Sequence, residues 1–254
     1  MPNWSTTNIM FFSKNKEQLE KLNLAIQACP KTYREDLEED LKKVTLGKPI
    51  GSDWIGTILY KNEMITKDQI LNDSIPKNLS CRGRFTDMDY EVEEDTESNP
   101  YLDDEKGFHF YIQTEDAWKP CIDMWDQLLM EKYPDIKFVY VSEEGGNEYY
   151  ENSDEDRFYW KDDYILDVTI TDLDNLPKEF KDEMLNPDET IEEYTYFEFE
   201  HLKEFMKKRF KGFDNVNSKE ELEEEFNKLK YILEDDPDVD DDEIRFNLWK
   251  FEEE

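Results

Sequence analysis

Charge is distributed along this chain in a way that constrains it more than any motif. Residues 1–84 are close to neutral, with 13 Lys/Arg against 11 Asp/Glu. Residues 85–254 hold the other 18 of 31 basic and 55 of 66 acidic residues. Self-repulsion on that scale opposes compaction, and a segment so acidic is ordinarily disordered. Yet the acidic part also contains Trp118, Trp125, Trp160, Trp249 and most of the Tyr and Phe. Aromatic side chains bury large areas and build cores. The pattern therefore predicts a folded, aromatic-rich body coated in carboxylates, and not an acidic tail.

Length allows one large domain or two modest ones. No apolar run approaches the ~20 residues of a membrane span, and the first residues lack a signal peptide's basic start and cleavage site. The expectation is a cytoplasmic protein with no membrane partner. Cys29, Cys81 and Cys121 are odd in number and widely spaced, and they fit neither a disulfide framework nor a zinc site.

Hydrophobic periodicity predicts a strand over 4–12, a helix over 16–28 stopped by Pro30, and a second amphipathic helix over 32–44. Residues 47–79, broken by Gly and Pro, read as an insertion containing a short helix begun by Thr66. Strands follow at 82–92 and 107–113. Thr114 is expected to cap a helix holding Trp118, Ile122, Trp125, Leu128 and Leu129, with Trp118 in the core. Further strands are expected at 136–142 and within 149–169. A helix is predicted over 188–210 and a second opens at a Ser218/Glu221 capping box. Residues 244–251 alternate like a final strand. The order predicts an α+β fold: a split βαβ, ferredoxin-like antiparallel sheet with helices on one face. The expected domains are 1–172, this core with its insertion, and 173–254, an acidic helical extension ending in a short strand.

The stretch FHFYIQTEDAWKPCIDMWDQLLMEKYPDIKFVYVSEEGGNEYYENSD, with Pro2, Asn3 and Trp4 at the start, resembles the YubB ferredoxin-like family of plasmid- and phage-borne proteins. Thr114, Trp118, Pro120, Tyr133, Pro134, Glu143, Glu144 and Gly145 carry the likeness. Ser5 stands where the family usually has cysteine, and Cys121 replaces a second proline. The resemblance implies a ferredoxin-like core and a mobile-element origin, and it implies no chemistry.

No catalytic motif is present, and only His109 and His201 offer near-neutral acid–base groups. His109 is expected to point away from Phe108 and Phe110. Residues 236–247 place Asp236, Asp238 and Asp240 at calcium-loop spacing, but Asp241 replaces the turn glycine and Asn247 the terminal glutamate. The chain thus reads as no enzyme, with no metal, cofactor or direct nucleic-acid binding. Duplex DNA carries one charge per ~1.7 Å, so the acidic excess matches about 60 Å of duplex. The functional expectation is a nucleic-acid mimic that blocks a basic nucleic-acid-binding protein, a bacterial CRISPR or restriction nuclease. The alternative is an acidic protein–protein interaction domain without mimicry. The candidate contacts are Glu91, Glu93, Glu94 and Asp95; Asp103, Asp104 and Glu105; Glu143, Glu144, Glu148 and Glu151; Asp154, Glu155 and Asp156; and Asp238, Asp240, Asp241 and Asp242 within 235–243. The group from Glu143 to Asp156 is favoured, because a Gly145–Gly146 turn would project it from a sheet edge.

Overall fold

Residues 4–43, 51–144, 149–234 and 244–251 are described by the computed structural model. They form two units, the first ending at Trp160 and the second starting at Lys161.

In the first unit the elements run β1 (Trp4–Ser13), α1 (Lys16–Gln27), α2 (Cys29–Thr32), a π-helical turn (Tyr33–Leu37), α3 (Glu38–Leu41), α4 (Thr57–Lys61) and α5 (Lys67–Leu71). They continue β2 (Gly83–Met88), β3 (Glu93–Glu94), β4 (Phe108–Ala117), α6 (Ile122–Lys132), β5 (Lys137–Glu144) and β6 (Tyr149–Asn152). The sheet order is β2-β4-β1-β5-β6, antiparallel throughout, with β3 pairing β4 beyond the end of β2. β1 lies at the centre because its alternating Ile9 and Phe11 are buried on the helix side. There Phe11 meets Phe110 and Trp125, each at 5.2 Å between ring centroids. Phe12 points the other way and packs with Tyr101 and Tyr159. His109 likewise lies on that second face, opposite Phe110.

Three expectations for this unit need correction. Pro30 does not end the helical region; it occupies the first turn of α2, where its missing N–H costs nothing. Residues 51–79 are no peripheral insertion, since Trp54, Ile55, Ile58, Leu59, Ile65, Ile70 and Leu79 belong to the main core. Thr66 does open α5, through a capping box with Gln69. Thr114 caps no helix: β4 runs on to Ala117 because it is laddered on one side by β1 and on the other by β2. The helix starts only at Ile122, and Trp118 is left in a left-handed conformation (φ 78°), 54% exposed. It is not a core residue.

The second unit comprises β7 (Tyr164–Ile170), α7 (Lys178–Glu183), β8 (Ile191–Phe197), α8 (Phe199–Lys207), α9 (Lys219–Glu234) and β9 (Ile244–Lys250). Its sheet has the order β8-β7-β9, antiparallel. The boundary therefore falls at 160/161 and not after 172, for a cut there would remove the central strand. This unit is not a helical extension either. Residues 191–197 form a strand, not the start of a helix, because Ile, Tyr, Thr, Tyr and Phe suit a pleat and pair β7 over seven positions. Leu166, Val168, Phe180, Leu202, Met206, Phe210, Phe226 and Phe246 make a separate core. Among the described residues no helix is long and apolar enough to cross a membrane.

Candidate acidic interface

The sheet face away from the helices is covered by chain segments instead, and these carry most of the exposed candidate acids. Residues 95–105, following the edge strand β3, and 154–160 lie over it, anchored by a small apolar cluster of Phe12, Leu102 and Val139 against Tyr101, Tyr159 and Trp160. Two buried carboxylates hold the segments together. Asp154, fully buried, accepts from the backbone N–H groups of Tyr159 (2.6 Å), Trp160 (2.7 Å) and Phe158 (3.2 Å). It also accepts from the Tyr101 hydroxyl at 2.6 Å. Asp95, 3% exposed, pairs with His109 Nδ1 at 2.7 Å and accepts from Tyr159 Oη, Asn99 Nδ2 and the Gly107 N–H. Asn99 Nδ2 donates to Tyr159 Oη at 2.7 Å as well. Tyr159 and Tyr101 thus tie 95–101 to 154–160. Burial, then the neighbouring Asp95 carboxylate, pushes the Tyr159 phenol far above its ordinary value; burial and the bond to Asp154 do the same for Tyr101. Both phenols remain donors.

Loop geometry fixes the outward acids. Asn99 accepts from the Tyr101 N–H, its own N–H donates to the Glu105 carbonyl, and Asp103 and Asp104 both take left-handed backbones. Lys14 bridges Asp103 and Glu105 at 3.1 and 3.2 Å, which neutralises part of the loop's charge. The exposed carboxylates on or beside this layer are Glu93, Glu97, Asp103, Asp104, Glu105, Glu155 and Asp156. They derive from two stretches, 93–105 and 155–156, that are some fifty residues apart in the chain. Glu94 pairs opposite Phe108 and so faces the helix side, and Glu91 is exposed in the loop before β3. No family model, curated protein or solved structure matches this chain.

Not all the acids singled out from the sequence belong to that surface. Asp95 and Asp154 are internal staples and leave the candidate contact set, because their oxygens are spent on buried donors. Glu144 is buried, at 4% exposure, and Glu151 accepts from the Tyr140 hydroxyl at 2.6 Å. Glu143 is half-buried. The favoured group from Glu143 to Asp156 is therefore split, with only Glu155 and Asp156 fully outward among its described members. Glu148, the Gly145–Gly146 turn, and Asp238, Asp240, Asp241 and Asp242 lie outside the described residues, as does most of the 236–247 loop.

A second polar group was not legible in the sequence. On the helix side the sheet interior turns from apolar to polar toward one end. Ser5, Thr7, Thr114, Asp116, Ser142 and Glu144 are all buried there. Thr7 bonds Ser142 at 3.0 Å, and Thr114 donates to Asp116 Oδ2 at 2.8 Å. Asp116 Oδ1 has no hydrogen-bond partner. Burial, opposed by hydrogen bonds from Cys121, Thr114 and Thr7, raises the Asp116 carboxyl to about 6. Alternating Thr and Asp in β4 place both inward, and only pairing on both sides of the strand reveals it.

Proposed function

We propose that this chain is an acidic nucleic-acid mimic, acting in the bacterial cytoplasm, that occupies the basic nucleic-acid channel of a defence nuclease of the CRISPR or restriction type. One observation carries the reading: a buried network of Asp95, Asn99, Tyr101, His109, Asp154 and Tyr159 joins two acidic segments, 93–105 and 154–160, into one fixed surface. A mimic gains from that arrangement, because ordering carboxylates only on binding would weaken the complex. With a net charge of −35, the chain would reach a cationic channel by electrostatic steering. The strand order supports a ferredoxin-like reading of the first unit: β1 and β2 flank β4, while β4 and β5 flank β1, with helices in both crossovers. That reading accords with the resemblance to the YubB ferredoxin-like family, which would give the chain a mobile-element origin.

The test is inhibition of purified CRISPR and restriction nucleases by the parent and by a variant with Glu93, Asp104, Glu155 and Asp156 each changed to Lys. Inhibition is expected to weaken as salt rises, to yield to competing nucleic acid, and to drop by at least about tenfold in the variant. Melting of the variant should match or exceed the parent's, since exposed charges contribute little to the fold. Undiminished inhibition by the variant would remove the charge from recognition.

A further inference from the structure

A cavity of about 800 Å³ opens on the helix side of the first unit, between the start of β2 and the N-terminus of α6. That volume falls within the usual range for a small-molecule site. Lys77, Arg82 and Lys119 line it. Cations are scarce in this chain, 31 against 66 acids, and most should be paired. Among the described residues, none of these three has a carboxylate within ion-pair distance. The Arg82 Nε itself is shut off from water, so contact with a ligand falls to the terminal nitrogens of its guanidinium. At the same wall α6 begins without a side-chain cap, with Cys121 to Met124 lining the cavity.

We propose that this cavity binds a small molecule through a terminal phosphate, held by Arg82 and Lys119 with Lys77 at the mouth. Three cations and a helix start suit a group with two charges and several oxygens better than a lone carboxylate. A polyanion is disfavoured, because a strand long enough to leave the cavity must run across an acidic surface, whereas a small ligand stays within about 8 Å of its cations, the screening length at physiological salt. Asp123, Asp126 and Glu151 also line the cavity and set its selectivity. Glu151 is engaged by Tyr140, whereas Asp123 sits in the first turn of α6, where its charge opposes a second anion. The site lies on the face opposite the acidic layer and does not depend on mimicry.

Calorimetric titration of the full chain with inorganic phosphate, AMP and citrate at matched ionic strength tests this. Saturable binding of phosphate or AMP is expected, weakened at least about tenfold by Arg82→Gln and by Lys119→Gln, and tightened by Asp123→Asn. AMP binding more tightly than phosphate identifies a phosphorylated metabolite as the source; equal binding identifies the free ion. Citrate binding as well as phosphate, no saturable binding, or binding indifferent to both cation substitutions would overturn the proposal. Circular dichroism and melting of each variant separate a lost site from a lost fold. No nuclease is present in these titrations, so their failure leaves the mimic reading standing, and the converse holds.

Discussion

Asp154 and Asp116 are both buried in the same unit, one on each face of the same sheet, and the protein treats them in opposite ways. Asp154 lies under a loop layer, where three backbone N–H groups and a phenol converge on its oxygens. Asp116 lies under helices, where hydrogen bonds from Cys121, Thr114 and Thr7 do not offset its burial, and its carboxyl is raised to about 6. Equal burial thus organises a loop around one side chain and leaves the other, Asp116, inclined to hold its proton. Donors decide the outcome, and irregular backbone supplies free N–H groups that helices and strands have already used.

The comparison can be broken most sharply at Asp154. Asp154→Ala strands four donors, so it should destabilise the first unit by on the order of 3–5 kcal/mol, each unmet buried group costing about 1–3. Urea unfolding checks this, and hydrogen exchange should show residues 158–160 losing protection first. A loss below about 1 kcal/mol would mean that water replaces the carboxylate and the acidic layer is not held by it.

Asp116 should behave in reverse. Its native state keeps a proton over a pH range in which the unfolded chain has already lost it. Its contribution is therefore fully present below pH ~4 and disappears as pH rises through about 6, amounting to about 3 kcal/mol across that window. The difference between parent and Asp116→Asn, followed by urea unfolding from pH 4 to 8, isolates that slope. Parallel curves would show the carboxyl ionised in the fold throughout.

The smallest effect is expected at Trp118. Being exposed and left-handed, it should tolerate Trp118→Ala within about 0.5 kcal/mol, and Trp118→Gly should be at least as stable as the parent. A loss of the several kcal/mol typical of a core indole would restore Trp118 to the interior.

Much of the first unit was legible beforehand, and for one reason. Ile9 and Phe11 in β1, Leu19, Leu22 and Ile26 in α1, Tyr33, Leu37 and Leu41 after it, and Trp125, Leu128 and Leu129 in α6 repeat with the period of their own element. The same signal misled at residues 191–206, where Ile191, Tyr194, Leu202 and Phe205 fit a helical period across a strand and a helix joined at Glu198. Of the site, the exposed acids of 91–94, 103–105 and 155–156 were recognisable as clusters. That Asp95 and Asp154 differ from their neighbours was not, since an Asp reads alike whether it faces water or three N–H groups.

Local order along the chain was enough to determine that the acidic region is folded, that it is α+β, and where most helices and strands begin. Charge and periodicity are properties of neighbours in sequence, and they survive without knowledge of what packs against them. Only the tertiary structure decided that β7 belongs to a second unit, that residues 51–79 enter the main core, that the acidic segments 93–105 and 154–160 share one face, and that three cations share a cavity. Each of these depends on groups separated by tens of residues, whose approach is set by strand pairing and by the need to satisfy every buried polar atom.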